Sequence, residues 1–376
     1  MTKGLQWLTP IGALVLAACA GSGPPKPAEL EPLTPQIGAT LVWSQRISDV
    51  RFPLSVAVNS TDADGGVFTV ADSDGGVRAL QANTGRELWR GNAGAKLAAG
   101  VGSDGRFASV VTRDNELVTL ETGKVLWRQS LGSRVTSAPL VAGRRVFVMG
   151  VDRAVQAFDA YDGLPLWTFK RQGEPLTLSQ PGVLTAYKDT LLVGQGPRLT
   201  ALDPLKGTLR WEVAVASPRG TNEVERLADL VAPAGRFGAV ICARAFQAAV
   251  ACIDAQRGSL LWSKNADGIN GVAVDYRFVV GADASGRITA WRIGTGDVAW
   301  TYDKLLHRRL SAPRAVGRTI AFGDLEGYVH WLSRDTGLPV LRIETDGSPV
   351  VSTPVLSGST LLVVTQKGGV FAYRPK

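Results

Sequence analysis

A glycine followed four positions later by a tryptophan recurs six times, as Gly85/Trp89, Gly123/Trp127, Gly163/Trp167, Gly207/Trp211, Gly258/Trp262 and Gly296/Trp300. A seventh copy, Gly337/Leu341, keeps the spacing and puts leucine in the indole's place. The run ahead of the glycine alternates apolar and small residues, as in residues 248–253, and ends in Asp159, Asp203 or Asp254. Such a carboxylate bonds to the backbone of the turn that follows. The glycine is expected at positive φ. The indole then enters a second strand, where its area wedges between neighbouring sheets while its N–H seeks a carbonyl.

With Trp43 included, the markers stand at 43, 89, 127, 167, 211, 262, 300 and 341, and successive gaps run from 38 to 51 residues. A period of about forty, with two strands in each visible motif and room for two more, is that of a four-stranded propeller blade. Seven copies are complete. The eighth is split, because residues 369–375 read as the strand before a turn and the chain then stops, whereas residues 40–46 read as an outer strand without its blade. The expectation is an all-β, eight-bladed propeller whose last blade is closed by the N-terminal strand, which leaves no open ring edge to template aggregation. Seven blades is the alternative, if the Leu341 copy is degenerate.

Residues 1–18 read as a signal peptide, with Lys3 ahead of an apolar stretch from Leu8 to Ala18 that is short for a membrane span. Leu16-Ala17-Ala18-Cys19 resembles a bacterial lipobox, in which the Cys19 thiol is lipidated and becomes the new N-terminus. Ala20 and Gly21 in place of aspartate point to the outer membrane. Residues 19–38 then form a tether rich in proline, of which Pro24, Pro25, Pro27, Pro32 and Pro35 are part. Residues 39–376 form one domain, since a ring of repeats lengthens without enlarging a single core. Runs such as Asp72-Ser73-Asp74-Gly75-Gly76 and Ser103-Asp104-Gly105 read as hairpin turns and lack the ligand spacing of an EF-hand. The formal net charge of +8 is spread through every repeat with no cationic run, which argues against a nucleic-acid partner.

Cys242 and Cys252 flank a hairpin at residues 246–249. A two-residue turn at Gln247-Ala248 pairs Cys242 with Ile253 and leaves the cysteines one position out of register, so small buried hydrophobes are expected; a disulfide requires a bulge or a three-residue turn. Neither His307 nor His330 is placed by sequence beside a nucleophile or a metal-ligand partner, and no elbow, zinc helix or phosphate loop occurs. Glu116, Glu174 and Asp283 are isolated carboxylates with nothing to select a pair. The expectation is a binding scaffold, not an enzyme, with no catalytic, cofactor or metal residues.

The Ala-x-Asp-x-x-x-Gly-x-x-x-Trp frame resembles the repeat of pyrroloquinoline quinone (PQQ) enzymes. The chain lacks the adjacent cysteine pair and the c-type haem motif of the alcohol dehydrogenases of that class, so a periplasmic PQQ-dependent dehydrogenase is only the alternative. A narrower resemblance is to the BamB family, the propeller lipoproteins of the outer-membrane β-barrel assembly (BAM) complex. It is carried by the lipobox, the proline-rich tether, the repeats, and the runs at residues 305–313 and 323–331. This resemblance implies a scaffold at the outer membrane that faces the periplasm on its lipid anchor. Its implied partners are the periplasmic domains of the barrel-inserting subunit BamA and, further, unfolded outer-membrane protein precursors. It implies docking through Leu176 and Leu178 of a Leu-x-Leu-Arg motif, here ending in Ser179, and through Arg226 and Asp229 of a Glu-x-x-Arg-Leu-x-Asp-x-Asp motif, here ending in Val231. The longest gap between markers, from Trp211 to Trp262, suggests that the second motif lies on an extended loop. For Leu176 and Leu178 the alternative is alternation on an inner strand, and for Arg226 and Asp229 it is a local ion pair.

Overall fold

A computed structural model describes residues 25–59, 65–171, 176–217 and 221–376. The signal segment 1–18, Cys19 and Glu174 lie outside the described residues. The strands form eight sheets of four, each an antiparallel meander, arranged as the blades of a β-propeller. Blades 1 to 7 span residues 57–92, 97–130, 140–170, 184–214, 230–265, 273–302 and 314–344, each running from its innermost to its outermost strand. Blade 8 takes three strands from residues 355–375 and its outermost strand, Ala39–Arg46, from the other end of the chain. The closure is in register from Ala39↔Pro375 to Arg46↔Gly369.

The repeated frame explains how neighbouring blades lock. All seven turn glycines, from Gly85 to Gly337, have φ between 66° and 87°. This is a conformation that costs a side-chain-bearing residue about 1–2 kcal/mol. At six of the seven turns the tryptophan of one blade lies over the turn glycine of the next: a Cβ on Gly163 would meet the Trp127 ring at 2.6 Å, and one on Gly207 would meet Trp167 at 2.5 Å, whereas Gly123 lies against the backbone of Arg90 and Gly91. The indole N–H then donates to a carbonyl of that same turn, Trp43 to Ala82 at 2.9 Å, Trp127 to Ala160 at 2.9 Å and Trp262 to Ile293 at 2.7 Å. Glycine and tryptophan are therefore a contact between two blades rather than a feature of one.

Leu341 has its own reason. The blade that follows it is the split one, whose two outermost strands, Gly369–Pro375 and Ala39–Arg46, pair without a connecting turn. No turn glycine exists for an indole to cover. Leu341 instead packs with Ile37, Ala39 and Tyr373, and Gln36 donates its backbone N–H to Val340 at 2.8 Å.

The proline-rich stretch is not free along its whole length. Ala28 exchanges backbone and side-chain bonds with the loop between blades 6 and 7, its N–H donating to the Leu306 carbonyl at 2.9 Å and its carbonyl accepting from Arg308 Nη1 at 2.8 Å. Leu30 packs on the core between blades 6 and 7, and the Glu31 carbonyl accepts from Arg342. Any spacer is thereby confined to the residues before Ala28.

The cysteine register corrects the sequence reading. Cys242 pairs directly with Cys252, and Ala245↔Ala249 closes a three-residue loop of Phe246, Gln247 and Ala248 in which Gln247 adopts φ 48°. The cysteines are joined as a disulfide across the two strands, with Cα atoms 4.1 Å apart, buried between blades 5 and 6. A glutamine in the left-handed region was the unforeseen step. The Asp-Gly runs are hairpin turns whose carboxylates cap their own loops: Asp72 Oδ1 accepts from Asp74 and Gly76, and Asp104 Oδ1 from Arg106 and Phe107.

Candidate functional site

In an antiparallel meander, the loop that enters a blade and the hairpin between its second and third strands lie at the same end. The entry loops of blades 4 and 5 and the central hairpin of blade 3 thus share one face of the ring. Residues 176–181 are loop, and the innermost strand of blade 4 begins only at Leu184, which removes the inner-strand reading of Leu176 and Leu178. Leu176 is exposed, whereas Leu178 is half-buried in a small cleft with Met149, Gly182 and Gly194. The loop between blades 4 and 5 runs to Asp229, as the long gap between markers suggested, and carries Val224 outward at 69% exposure.

Three of the four residues selected from sequence meet. The Asp229 carboxylate accepts the Leu178 backbone N–H at 2.7 Å and receives Arg153 Nη2 at 3.4 Å. The same Arg153 nitrogen donates to the Leu176 carbonyl at 3.2 Å. Arg153, at φ 63° in the blade 3 hairpin, is held in turn through its own carbonyl, which accepts from Gln195 Nε2 at 2.7 Å. Both side chains of the pair are largely buried, at 17% and 16% exposure, so screening weakens it less than an open surface bridge. Thr177 Oγ1 adds a bond to the Val151 carbonyl at 3.0 Å. Arg226 stands on a short turn, with its N–H donating to Asn222 at 3.2 Å, and is half-buried. That turn is capped by Glu225, whose carboxylate accepts from Thr221 N and Oγ1, bonds that hold its pKa below the usual value.

Sequence reasoning missed Arg153. It lies 76 residues from Asp229 in a hairpin whose Val-Asp-Arg-Ala sequence resembles any other turn. Its position gives the Leu-x-Leu loop a cation from a different blade, in a motif where Ser179 replaces arginine.

A second cluster accounts for the runs at 305–313 and 323–331. Asp324, Arg308 and His330 are all buried. Asp324 Oδ2 accepts from Arg308 Nε at 2.7 Å and from His330 Nε2 at 2.8 Å, while Oδ1 caps its own turn through Glu326 and Tyr328. Arg308 also bridges to Glu326 and reaches Ala28. Burial is the largest influence on His330 and lowers its pKa, and Nε2 faces the Asp324 carboxylate, an acceptor, so that nitrogen carries the proton. Bonds from His330, the Tyr328 backbone and Arg308 hold Asp324 below the usual carboxylate range despite burial. Among the described residues no serine, threonine or cysteine side chain bonds to this group, which acts as a fold clamp. Of the remaining carboxylates, Glu116 pairs with Arg128 and Asp283 caps its own turn.

The family model for the outer membrane protein assembly factor BamB matches residues 73–302. Over 370 residues the chain is 36% identical to the outer membrane protein assembly factor BamB of Burkholderia pseudomallei, covering 96% of each. The chain belongs to the BamB family. Its members are assembly factors, not enzymes, and they work at the outer membrane. Among solved structures, BamB from Moraxella catarrhalis superposes with a TM-score of 0.80 at 24% identity, covering 90% of this chain and 100% of that one. Quinohemoprotein alcohol dehydrogenase from Comamonas testosteroni superposes at 0.66 with 15% identity, covering 89% and 76%. Both of these likenesses are of fold alone, as expected of an architecture that carries unrelated functions.

Proposed function

We propose that this chain is a non-catalytic scaffold of the outer-membrane β-barrel assembly machinery. It docks on the periplasmic domains of a BamA-type subunit through the face that carries Leu176, Leu178, Arg226 and Asp229. Lipidation at Cys19 holds it on the periplasmic side of the outer membrane. Unfolded barrel precursors are a second class of partner, brought to high local concentration by that placement.

The observation that carries this reading is the Arg153–Asp229–Leu178 staple. It fixes two loops from different blades into one surface with an exposed apolar anchor and charged side chains around it. Preorganised loops lose less entropy on binding, and apolar anchors ringed by polar groups are where binding energy concentrates.

The test is affinity capture of the lipidated protein from detergent-solubilised outer membrane, with the co-purifying proteins identified. A BamA-type subunit is expected as the dominant companion. Its absence would remove the reading.

A further inference from the structure

The innermost strands enclose an axial cavity of about 800 Å³, a size typical of small-ligand sites. Arg236, Arg309 and Arg314 are among its lining residues, and neither aspartate nor glutamate is. Arg236 is engaged by the Gly238 carbonyl and the Tyr187 ring. Arg309 and Arg314 have no carboxylate or hydrogen-bond partner among the described residues.

Arg314 is the more telling. It opens the innermost strand of blade 7 and pairs with Ala321. The same register position in blades 5, 6 and 8 holds Gly235, Ala273 and Val355, so the guanidinium stands where those blades keep small or apolar groups. Arg314 is solvent-exposed at the axis, and partial desolvation by the surrounding blades lowers its pKa. A cation held among protein walls without a counter-charge is a strong point of attraction for an anion. The planar fork of a guanidinium matches a carboxylate in two parallel bonds.

We infer that the axial cavity is an anion site that takes an organic carboxylate, with Arg314 as its principal ligand and Arg309 contributing. Two sources share this chemistry, a free small polycarboxylate and the terminal carboxylate of a peptide chain. The site is separate from the staple and requires no docking partner.

The experiment is calorimetric titration of the purified full chain, at low ionic strength and neutral pH, with citrate and with a short peptide carrying a free C-terminal carboxylate beside its amide. Saturable one-site binding is expected for at least one free acid. Arg314→Gln, which disturbs no internal bond and should melt like wild type, should weaken it at least about tenfold, the effect of losing one charge-assisted bond. Arg314→Lys should retain part of the affinity. Citrate binding alone identifies a small-molecule source, and peptide binding lost on amidation identifies a chain terminus. Absence of saturable binding by both acids, or equal affinity in Arg314→Gln, would overturn the assignment.

Discussion

Arg153 and Arg308 do similar work at opposite sides of the ring, each joining segments that are distant in sequence. Replacing Arg153 by alanine leaves Asp229 half-buried with the Leu178 N–H as its remaining side-chain partner near the cleft. The expected loss is about 1–3 kcal/mol locally, seen as faster hydrogen exchange at Leu178 with little change in global melting. Arg308→Ala is the harsher change, since it leaves the fully buried Asp324 carboxylate without its guanidinium partner; a loss of about 3–5 kcal/mol is expected, with exchange protection lost around Ala28. His330 gives the cluster a pH signature. Its folded pKa is depressed, so the unfolded chain binds the proton first, and stability falls as pH drops below about 6.5 toward the folded value. Asp324, also depressed, contributes stability above its unfolded value, and this is lost only at lower pH. Chemical denaturation of wild type and His330→Gln between pH 7.5 and 5 should show a slope in wild type that the variant lacks. Equal slopes would assign the acid sensitivity elsewhere.

The element that repeats is a turn followed by a bulge. The residue just before each tryptophan position, such as Leu88, Leu166 or Leu261, falls at a break in register between the third and fourth strands. An extra residue there turns the indole onto the face that meets the next blade. The glycine-to-tryptophan spacing was legible in the sequence because two side-chain requirements, positive φ and a large ring, sit at a fixed distance. The bulge was not, since its residue carries no special chemistry. The cysteine hairpin shows the same limit: the strands were legible, but loop length depended on Gln247 taking a left-handed conformation that any count of residues leaves open. Gly207→Ala should cost about 2–4 kcal/mol, combining backbone strain with overlap on Trp167. Thermal melting checks this, and Trp167→Leu in the same chain should recover part of the loss. Removing the disulfide in Cys242→Ala/Cys252→Ala should cost about 2–3 kcal/mol by chain entropy for so short a loop.

Across the whole molecule, the sequence disclosed the ring and its closure because both ends of the chain carry recognisable fragments of one blade. It did not disclose which loops meet, because the contacts around Asp229 join residues from three blades. It also did not show that the tether folds back, since Ala28 and Leu30 carry no periodic pattern. Deleting residues 39–46 should expose the edge of the strand Gly369–Pro375 and drive association, visible as high-mass species in size-exclusion chromatography. The account centres on one face doing the docking. Its most direct test is the affinity of the purified chain for the isolated periplasmic domains of a BamA-type subunit, measured beside Leu176→Ala/Leu178→Ala and Arg153→Ala variants with unchanged melting. Loss of the two apolar anchors should weaken binding at least about a hundredfold, and Arg153→Ala should weaken it by a smaller factor. Affinity equal to wild type in the folded double variant would contradict the account.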